Sequence, residues 1–195
     1  MKNYLYQRWA ESTLFMALAL VVVLFSFLPQ TSWPLFLIWL QFPVYLIHEF
    51  EEHVYPGKFR QFMNREVFHS SSDEFPLSPA SVFWINISAI WILFPLAATL
   101  AQRVSLEYGV LLPVFGLFNA TLHILFFIIK RKYNPGLLVS LFLNYPTGLY
   151  TLWILKQYGW LTMQSFTIAF LVTFLGHAAI IFVILNRKKL KSTQL

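Results

Sequence analysis

Residues 34–53 read PLFLIWLQFPVYLIHEFEEH, and this stretch decides the fold. At ~1.5 Å per residue a twenty-residue helix reaches ~30 Å, the thickness of a bilayer's hydrocarbon core. Gln41 is the only amide or charge before His48, too few for a helix with one face in water. The run then ends in His48-Glu49-Phe50-Glu51-Glu52-His53, a dense ionisable patch on an apolar stem.

Outward from this segment, comparable apolar stretches occupy about 12–29, 79–101, 108–130, 136–155 and 162–186. The 195 residues are 58% hydrophobic and 11% charged, with a mean hydropathy of +0.63. A water-soluble surface needs more charge than that. Twenty-one Phe, nine Tyr and seven Trp suit lipid contact and interfacial aromatic belts. The pattern predicts an all-α, polytopic membrane helix bundle of about six transmembrane helices, forming a single domain over 1–195. The stretch after Glu11 lacks a small-residue cleavage site and reads as a first anchor. With no cysteine, disulfides, thiolate metal sites and iron–sulfur chemistry are excluded. The net charge of +6 does not indicate nucleic acid, because the charges sit at the ends of apolar segments.

The basic residues predict sidedness. With an inner N-terminus, the inner segments hold Lys2, Arg8, Lys58, Arg60, Arg65, Lys130, Arg131, Lys132, Arg187, Lys188, Lys189 and Lys191. The outer ones hold Arg103 and Lys156, twelve against two of the fourteen in the chain. Both termini are therefore expected in the cytoplasm. The one substantial loop, from about Val54 to Ser78, carries Phe59, Phe62, Met63 and Val67 at helical spacing. This predicts a short helix, either lying in the interface or simply connecting.

Ionisable groups in a bilayer are costly and need a partner or a task. His48, Glu51 and Glu52 stand at i, i+3 and i+4, so they share a helix face. Glu49 and His53 share a neighbouring one. An imidazole beside two carboxylates is half of a metal site or an acid–base pair. It is not the zinc-protease H-E-x-x-H pattern, because His48 and His53 lie about 140° apart around the helix. His123 and His177 belong to other segments. By helical rise, His48 lies ~8 Å, His123 ~10 Å and His177 ~15 Å from the inner ends of their helices. The three fall in one slab, as a shared ion requires. Asn119, one turn before His123, and Asn86 and Asn144, ~10–12 Å from the inner surface, are expected outer partners for liganding histidines, with Glu49.

The segment His48-Glu49-Phe50-Glu51-Glu52 resembles the motif of the HXXEE-domain membrane proteins, a bacterial and archaeal family. Asn119-Ala120-Thr121-Leu122-His123 is similar to the family's Asn-x-x-x-His element. Arg131-Lys132-Tyr133-Asn134-Pro135-Gly136 is similar to its Arg-x-Tyr-x-Pro-Gly turn, followed by Pro146, and Gly176-His177 to its closing Gly-His pair. The resemblance spans about Trp33 to Ile184 and implies a bacterial plasma membrane. It supplies candidate residues rather than a reaction. Asn-Pro-Gly also makes a tight turn between helices by itself. That turn would bring Arg131, with Tyr133, to the mouth of the site, where the guanidinium suits an anionic headgroup.

These readings point to a metal-dependent membrane enzyme, of hydrolase or transferase type. It would act on a lipid or other small amphiphile from the cytoplasmic leaflet. His48, His123 and His177 would be ligands, with Glu51 or Glu52 as ligand or general base. Zinc is the expected divalent metal and iron the rival. Two alternatives are a proton- or ion-coupled transporter, with His and Glu as relay, and a metal-binding sensory membrane protein. The almost purely apolar outer helix halves argue against a through-path.

Overall fold

The computed structural model describes residues 2–27 and 32–192, and among these every regular element is helical. A short helix α1 (Lys2–Arg8) passes through a 3₁₀ turn into α2 (Thr13–Phe27), so the expected end of the first span at 28–29 lies outside the described residues. Then come α3 (Trp33–His53), the loop helix α4 (Phe59–Phe62), and α5 (Pro79–Asn86) running on into α6 (Leu93–Arg103). The chain continues with α7 (Leu111–Lys130), α8 (Leu137–Val139) leading into α9 (Tyr145–Gln157), and α10 (Met163–Ser192). The starts follow local chemistry. Ser32 Oγ accepts from Leu35 N at 3.4 Å and Ser78 Oγ from Ser81 N at 3.2 Å, with Pro34 and Pro79 just inside.

Five helical stretches are long and apolar enough to cross a membrane: Tyr4–Ser26, Pro79–Arg103, Leu106–Lys130, Leu137–Gln157 and Met163–Arg187. α3 is not among them, although it is 21 residues long. Its last six residues bring three carboxylates and two imidazoles. It tolerates them because it is the central helix, buried along most of its length. Ile38, Phe42, Tyr45 and Leu46 of α3 pack in one core with Phe94, Ala98, Leu112 and Phe115 from α6 and α7. Ala97, Ala98 and Ala101 let the backbones approach closely. The outside is apolar instead: Phe166, Leu171, Phe174, Leu175 and Phe182 of α10 are all exposed. That inversion of the usual burial pattern marks a bundle solvated by lipid.

Three stretches wind as π-helix, at Met63–Val67, Ile87–Ile92 and Ser140–Asn144, within or beside the long helices. Such turns re-aim side chains and recur at functional sites. The loop after α3 is knitted to itself. Buried Asn64 donates through Nδ2 to Asp73 O at 2.8 Å and Leu77 O at 2.9 Å, and its Oδ1 accepts from Leu77 N at 2.9 Å. The expected loop helix is α4 with its π-helical continuation. Its apolar face turns onto the bundle: the Phe59 ring lies 5.1 Å from that of His123, and Phe62 lies 6.1 Å from Phe126.

Candidate metal centre

α3 projects His48 and Glu52 from one face, and α7 brings His123 against them. Glu52 Oε1 lies 3.5 Å from His48 Nε2 and 3.2 Å from His123 Nε2. One potential ligand atom from each of the three lies within 4.8 Å of the others, and all three residues are buried. The imidazoles meet edge to face, their centroids 4.8 Å apart. This spacing suits a single divalent cation held by two nitrogens and a carboxylate oxygen.

Hydrogen bonds strengthen that reading. Asn134 Nδ2 donates to the His123 carbonyl at 3.0 Å, which fixes the amide's orientation. Asn134 Oδ1 therefore faces His123 Nδ1, at 2.6 Å, and can only accept. Nδ1 therefore carries a proton, and Nε2 is the nitrogen turned to the carboxylate. A proton or a metal ion between Nε2 and Glu52 Oε1 would satisfy both atoms, and His48 Nε2 beside the same oxygen gives the place a third donor suited to the metal ion. The oriented-amide, proton-fixed histidine is the usual support of a metal ligand. His48 Nε2 also lies 3.0 Å from Asn119 Nδ2, so that amide meets the ring nitrogen that faces Glu52 and not the far one where an outer partner would sit.

Gly136 closes the floor. With φ +99° it needs glycine's freedom, and a Cβ there would stand 2.5 Å from His123 Cε1 and 2.8 Å from His48 Cε1. The Asn-Pro-Gly turn thus does more than reverse the chain. It orients one imidazole and makes room for both.

Several expected residues fall elsewhere. His177 stands outside the group: its Nδ1 lies 2.8 Å from the Thr173 carbonyl and its ring packs against Phe115 and Phe118, at 4.9 and 4.8 Å. Depth along the helix axis carried no information on rotation. His177 walls an apolar cavity of about 150 Å³ that also touches Glu52, Asn119 and His123. Glu51 is turned to another task. It accepts from Tyr133 Oη at 2.6 Å, Leu138 N at 3.0 Å and Val139 N at 2.7 Å, capping from α3 the first turn of α8. Tyr133, expected at substrate, is thereby committed to Glu51. Burial and that carboxylate push its phenol above its ordinary range, so it stays a donor at neutral pH.

Glu49 accepts from Trp91 Nε1 at 3.0 Å rather than from a cluster imidazole. Asn86 reaches His53, its Nδ2 3.4 Å from Nε2. Asn144 is buried in the third π-turn, its Nδ2 without a partner among the described residues. Arg131 ends α7 in left-handed conformation, φ +51°, and its side chain is exposed.

Sequence reasoning missed His53 and Asn134. His53 Nε2 lies 3.4 Å from Glu52 Oε2, the oxygen the other two imidazoles leave free. The angle between His48 and His53 is real, but the carboxylate spans it. Adjacency to Glu52 and the i, i+4 relation to Glu49 were the available signals. Asn134 was legible only as turn chemistry.

Because Glu51 ties α3 to α8 by two hydrogen bonds and to the preceding turn by a third, Glu51→Gln is expected to lower thermal stability. It replaces an anionic acceptor by an amide that offers two N–H groups to existing donors, at a cost of about 2–3 kcal/mol. Thermal unfolding in detergent checks the loss. Bound metal at saturating concentration should be unchanged, since Glu51 is not in the cluster.

The molecule is thus a membrane-type helix bundle with a buried His–Glu–His cluster suited to divalent-metal binding. The chain belongs to the family of proteins of unknown function with an HXXEE motif, whose model matches residues 39–151. No curated protein and no solved structure matches it.

Proposed function

We propose that the protein is a metal-dependent membrane enzyme of hydrolase or transferase type. It crosses the membrane six times with both termini in the cytoplasm, and it acts on a lipid or similar amphiphile from the inner leaflet. The observation that carries this reading is the convergence of His123 Nε2 and His48 Nε2 on Glu52 Oε1, at 3.2 and 3.5 Å, in a buried site. Two imidazoles and one carboxylate leave coordination positions open, a donor set used by zinc hydrolases and by non-haem iron oxygenases. Bound there, zinc would acidify a water and polarise a carbonyl or phosphoryl oxygen. The rest falls to the chain. Glu52 Oε2, 3.4 Å from His53 Nε2, forms with that imidazole a pair able to take the water's proton and return it to the leaving oxygen. Phe59, its ring 5.1 Å from that of His123, and the apolar cavity give the cluster one dry side.

The test is lipid turnover in nanodiscs of mixed bacterial lipid, followed by mass spectrometry with zinc, with Fe²⁺ under air, and after chelation. One lipid class should decrease with metal and the native chain, and stay constant for Glu52→Gln. Metal-free protein that carries pH-dependent ion flux in vesicles would overturn the reading in favour of a relay.

A further inference from the structure

Two hollows of opposite character meet at the cluster. The first is the apolar cavity of about 150 Å³, walled by residues such as Phe68, Ile85, Phe126, Ile180 and Ile184. The second is an open cleft of about 350 Å³ between α1, the end of α3 and α4. Glu52, His53, Phe59 and Val82 line both, so the hollows are neighbours and the proton-handling pair stands at their junction.

The cleft is basic. Lys58 and Arg60 line it together with the neutral Gln7 and Gln61. Its one acidic wall residue is Glu52, whose two oxygens already face three imidazoles. Lys58 holds a left-handed backbone, φ +74°, directly after Gly57 at φ +69°. A non-glycine residue there is strained, and such strain concentrates where a side chain must be aimed. The Lys58 side chain is solvent-exposed, with no acidic partner within 4.0 Å among the described residues. The Arg60 guanidinium is held by Asp73 O at 2.7 Å, with Glu74 Oε1 at 4.0 Å, which leaves donors of its planar fork over. Arg131, the headgroup contact expected from sequence, lines neither hollow.

We infer that the substrate is an amphiphile with an anionic headgroup. Lys58 and Arg60 bind that headgroup in the cleft, a stretch of about six carbons of its hydrocarbon chain fills the apolar cavity, and Glu52 and His53 stand between the two. This rests on the enzymatic reading above and adds its substrate class. A basic cleft rewards phosphate or carboxylate, whereas the apolar cavity rewards only a chain joined to it. The two together select a molecule having both.

Binding of radiolabelled dodecyl phosphate tests it, using chelated full-length protein in dodecyl maltoside so that no metal can hold the anion. Unlabelled inorganic phosphate and dodecanol serve as competitors. Lys58→Gln should weaken binding at least about tenfold, Lys58→Arg should restore most of it, and Lys58→Gln with Arg60→Gln should weaken it further. Ala89→Phe, which fills the cavity, should weaken dodecyl phosphate by a similar factor without altering any weak competition by phosphate. Neither competitor alone should displace the probe at equal concentration. Unchanged binding in Lys58→Gln, or displacement by inorganic phosphate as effective as by dodecyl phosphate, overturns the inference: the first removes the headgroup site, the second makes it a site for free anions. Equal displacement by dodecanol overturns it as well. Metal binding is measured separately, so a metal-free protein that still selects dodecyl phosphate sinks the enzymatic reading while the amphiphile site stands.

Discussion

Protein purified with His123→Ala is expected to have lost divalent metal that the native chain holds near one equivalent. His123 turns Nε2 to the cluster while Asn134 holds its Nδ1, and its ring abuts that of His48. Losing an outer partner of a metal ligand typically costs ~10–100-fold in affinity, so losing the ligand should cost more than ~100-fold. Elemental analysis after dialysis against a graded chelator reads this directly. His48→Ala and Glu52→Ala should behave alike, because each removes one corner of the same triangle. Asn134→Ala should fall in the ~10–100-fold range, since it removes the acceptor that orients the ring. His177→Ala should retain the metal. If it abolishes binding as completely as His123→Ala, the three-residue centre is wrong and the sixth-segment histidine has to be brought back. Native protein that takes up no metal sinks the proposal altogether.

The second large effect is expected from Gly136→Ala, a change of one methyl group. The new carbon would stand 2.5 Å from His123 Cε1 and 2.9 Å from its Nδ1, closer than real contacts permit, with φ at +99°. The left-handed conformation costs a non-glycine residue about 1 kcal/mol, and overpacking a tight site typically adds about 1–3 kcal/mol. Relief by ring rotation would break the His123–Asn134 bond. A destabilisation of about 2–4 kcal/mol is expected, with weakened metal binding, read by thermal unfolding and by chelator competition. Gly159→Ala is the matched control. Its φ is +78°, but a Cβ there meets nothing within 4 Å, so it should show the backbone cost alone and leave the metal untouched. Equal losses in both variants would mean that the packing of Gly136 on the imidazoles carries no weight.

What the sequence disclosed and what it withheld divide along a physical line. Helix positions were legible because apolar length is a local property, and the i, i+4 pairing of His48 with Glu52 was legible because 3.6-residue periodicity fixes which side chains share a face. Depth was legible from rise per residue, and it brought His123 to the right level. Rotation of one helix against another was not, because it follows from packing between distant segments. That is why His177 was read as a ligand and instead stands against Phe115 and Phe118. The same blindness hid His53. A side chain's reach can bridge an angle that backbone geometry forbids, and Glu52 does so with its second oxygen. Glu51 and Glu52 are indistinguishable in sequence, and distant groups separate their tasks: Tyr133 Oη and the amides of Leu138 and Val139 hold Glu51, while His123 meets Glu52.

The character of α3 bears on how the chain enters a bilayer. Lipid alone offers no lodging to a helix ending in three carboxylates and two imidazoles. Its welcome comes from Trp91, His123, Tyr133 and the amides after Gly136, all of which leave the ribosome later than α3 does. α3 has to wait, sheltered by the insertion machinery or parked at the water boundary, until α7 and the turn behind it arrive. Biogenesis of this molecule is therefore an assembly reaction more than a sequence of independent insertions, since the polar centre cannot close before α7 and its turn are made.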